Sequence, residues 1–202
     1  MATIMDIILS AMLGGTLLLI TLTANEIASE SASMQHGDVY VQESMIALSR
    51  TLESELRNMG FGVPDTGQVI TQADSTSITY LVDLQKIGKI DTVRFFLGAS
   101  TELLSTPNEL DRFLYRQIIG NPREEIGIVT SFRFRYLKRN GDSLTVPVVA
   151  GDLKKIHEVE TTIEVQNPFA LHRQKIAEGE RDALYSTALW KQTRLAAQNL
   201  KR

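Results

Sequence analysis

The first 24 residues of the chain are almost uninterruptedly apolar and hold one charged side chain, Asp6. The first basic residue is Arg50. A helix needs about 20 mostly apolar residues to cross a lipid bilayer, and residues 4–24 meet that requirement. The segment lacks the basic start and the small-residue cleavage motif of a secretory signal peptide. The sequence therefore predicts a helix that is compatible with a membrane.

Small residues recur at a spacing of four within this apolar segment. Ser10 and Gly14 form one such pair, and Ala11 and Gly15 form another. Pairs of this kind lie on one side of a helix and let a second helix approach closely in lipid. We expect these four residues to pack against another protein helix. The alternative is that they reflect only the general abundance of small residues in membrane helices.

Helical periodicity continues beyond the apolar segment, where apolar residues recur every three or four positions. These residues are Val41, Met45, Leu48, Leu52, Leu56 and Met59. They predict a helix face that packs against the rest of the protein. Gly60, with Arg57 in the preceding turn, is typical of a helix C-terminus.

We therefore expect one long helix within residues 1–62, with a membrane or filament-core half at residues 4–24 and an amphipathic half at residues 38–59. Three serines followed by a glycine have low helix propensity, which predicts a softer or kinked stretch near His36 and Gly37. A helix from Thr3 to Met59 spans roughly 85 Å. A head of ~140 residues is too small to cover it, so its first half must lie in a membrane or against neighbouring copies.

Residues 63–202 predict a β-rich globular head. Segments rich in β-branched and aromatic residues are bounded there by Gly, Asp and Asn, which is typical of strands and turns. The predicted strands are residues 77–82, 92–97, 111–119, 126–138, 144–149, 155–165 and a last strand around 185–195. The strands at 126–138 and 144–149 are expected to pair across a turn at Asn140 and Gly141, and residues 167–182 form a polar excursion. The predicted fold class is α+β, a long N-terminal helix followed by a mainly antiparallel β head.

The composition excludes several classes of function. The net charge is −3, which provides no basic surface for nucleic acid. The chain contains no cysteine, so it has neither a disulfide framework nor a thiol nucleophile. A head outside the cytosol would therefore be held together by packing alone.

Candidate catalytic and metal-binding groups are sparse. His36, His157 and His172 are far apart in the sequence, and none has a neighbouring acid or histidine at metal-ligand spacing. Three acidic residues alternate along one predicted strand and indicate a solvated face, namely Glu158, Glu160 and Glu164. Trp190 is expected to pack within its strand. Phosphate-binding and nucleophile-elbow motifs are absent from the sequence, so we predict no cofactor, no metal and no enzymatic activity.

Several motifs, taken in order, resemble the type IV pilin and pseudopilin superfamily, and within it the PilW-like minor pilins and the J-type pseudopilins of type II secretion. The start of the chain, MATIMDIILSAM, is similar to the GFTLIELLVAM pattern of that superfamily. The segment LSRTLESELRNMGFG at residues 48–62 is similar to the family's helix-closing segment. In the head, YRQ at 115–117, VTSFRFRY at 129–136, IHEVETTIEV at 156–165 and WKQTR at 190–194 resemble its strands. The resemblance covers most of the chain.

The resemblance implies a role for the N-terminus. Met1 stands where the family has the glycine before its processing site, Ala2 where it has the methylated first residue, and Asp6 where it has a glutamate. By this resemblance, the Asp6 carboxylate pairs with the free amine of a neighbouring subunit. Removal of Met1 before Ala2 would expose an equivalent amine. Two other environments could accommodate the Asp6 carboxylate without a neighbouring subunit. One is the helix's own N-terminal amides, and the other is a position at the membrane interface.

The sequence thus favours a non-enzymatic structural subunit of a type IV pilus-like filament or secretion pseudopilus. Its partners would be copies of itself or other pilin-like subunits. It would be held in the inner membrane before assembly, with its head in the periplasm or outside the cell. The main alternative is a single-pass membrane-anchored subunit of a fixed complex with a soluble binding head. An enzyme tethered by its N-terminus is the third hypothesis.

Overall fold

The computed structural model describes residues 2–64, 67–103, 105–106, 108–167, 171–172, 184–185 and 188–195. Its first element is a single helix, α1, over Ala2–Arg57. The helix is continuous through Gly37, and the softer or kinked stretch expected near His36 and Gly37 stays a prediction. At 1.5 Å per residue, α1 spans about 84 Å.

The helix ends in two turns that attach it to the head. Gly60 and Gly62 both have left-handed backbone angles, with φ of 79° and 75°, a conformation that glycine adopts without a steric cost. The backbone here bonds to the head segment at residues 81–83, because Gly60 N–H donates to Leu81 O at 2.9 Å and Asp83 N–H donates to Phe61 O at 2.8 Å. The end of α1 is therefore tied to the head by backbone hydrogen bonds.

The head contains two larger antiparallel sheets. The first is a five-stranded meander in the order β1 to β5, with strands at Ile70–Ala73, Ser77–Val82, Asp91–Leu97, Arg112–Ile118 and Glu124–Val129. The second has the order β10, β7, β6, with β6 at Ser131–Leu137, β7 at Glu158–Gln166 and β10 at Ala188–Leu195. A short 3₁₀ helix lies at Leu153–Lys155, and β8 at Leu171–His172 pairs with β9 at Leu184–Tyr185. A long N-terminal apolar helix followed by antiparallel sheets is the predicted α+β layout, and this prediction is confirmed.

One predicted strand is two strands in the structure. Residues 126–138 were expected to be continuous, but the chain leaves the first sheet after Val129 and joins the second at Ser131. The switch falls at Thr130, whose N–H donates to Glu164 O on β7 at 2.8 Å. The alternation changes phase at this point, because the buried residues on either side are Val129 and Phe132, with two polar residues between them. That change alone does not say that the chain moves to another sheet.

The expected strand at 144–149 is also wrong. The segment makes one isolated bridge, between Leu137 and Ser143, and one further backbone bond from Leu144 N–H to Tyr136 O at 2.8 Å. Pro147 has no N–H to donate to a ladder, and the next donor, Val148 N–H, bonds to Ala73 O on β1 at 2.9 Å. Strand β1 was not predicted, since it has only four residues. The predicted polar excursion at 167–182 lies almost entirely outside the described residues.

The core lies between the two sheets and the C-terminal half of α1. The side chains that face inward from the strands alternate along β6 and β7, as the periodicity predicted. The hydroxyl of Tyr136 on β6 donates to Asp74 O at 2.8 Å, and the N–H of Phe134 donates to Ser75 O at 2.7 Å. These bonds join the second sheet to the turn between β1 and β2, so both sheets form one core with the helix.

Candidate assembly helix

The first part of α1 is not packed against the described part of the head. Every residue from Thr3 to Ser33 is exposed, and we call this range the free half. Its large apolar side chains are between 54% and 73% exposed. The helix is long and apolar enough to cross a membrane, which is compatible with a single-pass anchor. The remainder of α1, residues 34–57, is called the docked half.

Several hydroxyl groups of the free half donate to the backbone of their own helix. Thr16, Thr21 and Thr23 donate to the carbonyl oxygens of Leu13, Leu17 and Leu19 at 2.8–2.9 Å. The hydroxyl of Ser10 donates to Asp6 O. Polar groups that bond back to their own helix need no partner from water, so the surface of the free half is suited to lipid or to another apolar helix.

The small residues predicted to pack against another helix are not covered by any described residue of the chain. Ser10, Ala11, Gly14 and Gly15 are all exposed. A Cβ added at either glycine would meet nothing within 4 Å. Glycine inside a helix costs about 1 kcal/mol relative to alanine, and nothing in the described part of the head offsets this cost. A close approach by another helix is the interaction that would offset this cost.

Asp6 lies one turn into α1, four residues after Ala2, and is exposed. No salt bridge to Asp6 is found within the part of the chain that the structure describes. Residues four apart lie on the same side of a helix. A cationic group that pairs with Asp6 would therefore approach the side of the helix on which Ala2 lies.

The docked half buries one face against the head. Val41, Met45, Leu48, Leu52 and Leu56 are at most 6% exposed and belong to the common core. The packing is close at Leu48, because a Cβ added to Gly127 on β5 would lie 2.8 Å from its Cδ2 atom. The glycine on β5 thus makes room for a leucine of the helix.

Three polar contacts accompany this apolar face. Near the C-terminus of α1, Arg116 Nη2 lies 3.0 Å from Glu55 Oε1. Two residues earlier, Lys191 Nζ lies 3.0 Å from Glu53 Oε1. At the other end of the docked half, Asn167 Nδ2 donates to Met34 O at 3.0 Å and to Asp38 Oδ1 at 2.8 Å. The three contacts hold both ends of the docked half to the head.

Glu55 also accepts a hydrogen bond from a buried tyrosine. The hydroxyl of Tyr80 donates to Glu55 Oε2 at 3.4 Å. Burial, followed by the nearby charge of Glu55, raises the pKa of Tyr80 well above its usual range. The tyrosine therefore stays protonated and available as a donor.

Within the part of the chain that the structure describes, the candidate groups do not form a constellation typical of catalysis. His36 lies on the exposed side of α1, and the backbone N–H of His157 bonds to Leu137 O. Among the described residues, no group of three or more His, Cys, Asp or Glu could hold a metal ion. The side chain of His172 lies outside the described set.

The acidic side chains expected to form a solvated face on β7 are half-buried, and two of them form ion pairs with arginines of the neighbouring strands. Glu158 pairs with Arg194, and Glu160 lies 3.6 Å from Arg135. Trp190, expected to pack within its strand, is 62% exposed, so that expectation is wrong. Its neighbours across the ladder are polar, with Glu164 directly opposite.

Sequence reasoning did not single out Gly37, Gly127 or Asn167 as contact residues. Gly37 was noted only as a weak point of the helix, and Asn167 falls at the edge of the polar excursion. A glycine inside an otherwise helical pattern is a sequence signal that could have indicated a close approach at Gly37.

Comparison with known proteins found no match: no family model, curated protein or solved structure is significantly similar to this chain.

Proposed function

We propose that this protein is a non-enzymatic structural subunit of a type IV pilus-like filament or secretion pseudopilus, assembled through its N-terminal helix. Before assembly the free half is held in the inner membrane, with the head in the periplasm. After assembly it packs among the helices of other copies or other pilin-like subunits. The observation that carries this proposal is the exposure of every residue from Thr3 to Ser33 on a helix whose docked half is firmly attached to a folded head.

Energetics require the free half to be covered. Burying one large apolar side chain is favourable by about 1.5–3 kcal/mol, and more than ten such side chains are exposed along this half. Lipid covers them in the membrane. Outside the membrane, the helices of other subunits are the cover that leaves the head unchanged.

Asp6 and the two glycines favour assembly over simple anchorage. A carboxylate within an apolar membrane segment is costly unless it is paired, and a helix that serves only as an anchor does not need one. Gly14 and Gly15 lower helix propensity, and a Cβ at either position would meet no described residue within 4 Å. Both features are useful if a second helix, with an amine at its start, packs against this one.

The deciding experiment compares Asp6→Ala, Asp6→Glu and a control, Leu9→Ala, in cells that produce the protein. We expect all three variants to reach the membrane fraction. We expect Asp6→Ala alone to lose incorporation into shed or sheared filaments. Equal incorporation of Asp6→Ala and wild type would contradict the proposed role of the acid, and the absence of filaments from wild-type material would contradict the filament itself.

The second candidate is a single-pass membrane-anchored subunit of a fixed complex. The membrane-compatible length and composition of α1 favour it equally. N-terminal mass analysis combined with negative-stain imaging separates the two. A start at Ala2 in material that contains thin filaments supports the filament subunit, whereas an intact N-terminus on discrete membrane particles supports the fixed complex.

A further inference from the structure

The docked half has a second apolar surface on the side away from the head. Val39 and Ile46 are 54% and 52% exposed, although the residues around them on α1 are part of a folded domain. Glu43 and Arg50 are also exposed and have no ion pair within the described chain. At 3.6 residues per turn these four residues share one side of the helix, opposite the buried stripe. We call them the outer face.

The outer face has an internal repeat. Its two apolar residues, Val39 and Ile46, are seven positions apart, and so are its two charged residues, Glu43 and Arg50. Seven residues are two helical turns, or about 10.5 Å along the axis. A parallel helix displaced by that distance would place Ile46 against Val39 and Arg50 against Glu43 at the same time.

We propose that the outer face binds the outer face of a second copy of this chain, parallel and displaced by seven residues. This inference rests on the proposed function, because copies whose free halves share one membrane or filament core must run in the same direction. The outer face also continues the exposed surface of the free half without interruption. One continuous side of α1 is thus available to neighbouring copies.

Other displacements fit the residues less well. With no displacement, Glu43 would face Glu43 and Arg50 would face Arg50, which is unfavourable for like charges. Displacements of three or four residues would place Ile46 against a charged side chain. With seven, the favourable pairs end at Arg50, since the next pair would be Arg50 with Arg57, so the contact covers residues 39–50. Because both copies use the same side of α1, this contact joins one pair of copies.

The test uses the fact that the chain has no cysteine. A full-length variant with both Val39→Cys and Ile46→Cys is oxidised in native membranes and in sheared filaments. We expect disulfide-linked dimers from this double variant, because facing helix positions can meet the Cα separation that a disulfide needs. Each single variant should give none, since its two thiols would lie about 10.5 Å apart along the axis.

Matched controls locate the contact on the helix. Tyr40→Cys with Ala47→Cys has the same spacing and similar exposure but lies on another side of α1. Crosslinking of this pair instead of the first would overturn the proposal. Crosslinking of Ile46→Cys alone would also overturn it, because it indicates an antiparallel or undisplaced contact.

Charge reversal provides an independent measurement. In the cysteine double variant, Glu43→Arg or Arg50→Glu alone should lower the crosslink yield several-fold, and the two together should restore it. Filaments that assemble normally but never crosslink at these positions would reject the displaced contact and leave the proposed function intact. If wild-type protein forms no filaments, the crosslink in membranes still decides whether the copies meet through the outer face.

Discussion

Gly37 of α1 lies so close to Asn167 of the head that a Cβ at position 37 would be 2.0 Å from the side-chain oxygen of Asn167. Asn167 is fully buried and donates to Met34 O and Asp38 Oδ1. The glycine allows an asparagine to reach the helix backbone at the point where α1 leaves the head. The boundary between the free half and the docked half is set by this contact.

Replacing Gly37 by alanine should therefore destabilise the head although it improves helix propensity. Propensity favours alanine by about 1 kcal/mol, but displacing Asn167 leaves buried polar groups without partners at a cost of about 1–3 kcal/mol or more. We expect a lower free energy of unfolding and a lower Tm, measured by circular dichroism on the full chain in detergent.

The control is Gly14→Ala in the free half. A Cβ there meets nothing within 4 Å, so the substitution should leave the Tm of the head unchanged. An increase in stability for Gly37→Ala of the size expected from propensity alone would contradict the contact with Asn167.

The contact between Leu48 and Gly127 should appear as a coupling energy. Leu48→Ala should cost about 2–5 kcal/mol because it leaves a cavity in the core. Gly127→Ala should cost about 1–3 kcal/mol because its Cβ would lie 2.8 Å from Leu48 Cδ2. In the double variant the added methyl has room, so the two losses should fall short of their sum when measured by denaturant unfolding. Strict additivity would count against the packing described.

Glu55 and Glu124 both lie near Arg116, but the two acids should differ in importance. Glu55 is 3.0 Å from the guanidinium and only 23% exposed in its side chain, whereas Glu124 is 3.6 Å away and 69% exposed. Glu55→Ala also removes the acceptor of the Tyr80 hydroxyl. We expect a loss of about 1–3 kcal/mol for Glu55→Ala and less than about 0.5 kcal/mol for Glu124→Ala. Equal losses by thermal unfolding would refute this ranking.

Asp111 should make stability depend on pH. Burial raises the pKa of this carboxyl, although hydrogen bonds from threonines, including Thr130, oppose the shift. An acid whose folded pKa lies above its unfolded pKa loses stability as the pH rises from the unfolded value to the folded one. Asp111→Asn removes that loss while keeping an oxygen acceptor, so the variant should be more stable than wild type at neutral pH.

The difference should disappear below about pH 3, where the aspartate is protonated in both states. Unfolding is measured from acid to neutral pH, with the exposed neighbour Glu109→Gln as the control that leaves the profile unchanged. A wild type that is more stable than Asp111→Asn at neutral pH would show that the charge is stabilising.

Strands with a clear β-rich pattern between turn-forming residues were predicted from the sequence. The strand at Ser77–Val82 was predicted with the same bounds that the structure has, since its β-rich residues lie between turn-forming neighbours. Local signs of the break at Thr130 and of the lost strand around Pro147 are present in the sequence, but the backbone partners that these segments take instead were not predictable in this way. Both depend on which backbone each segment meets, and that partner lies far away in the sequence.

The sequence alone determined that the chain begins with a long apolar helix, that one stripe of its second half is apolar, and that the head is β-rich. These properties follow from composition and from the periods of helix and strand. Only the tertiary structure decided that Gly37 and Gly127 admit Asn167 and Leu48, and that Val39 and Ile46 remain uncovered. Contacts between elements depend on distances across the fold, and a linear pattern does not contain those distances.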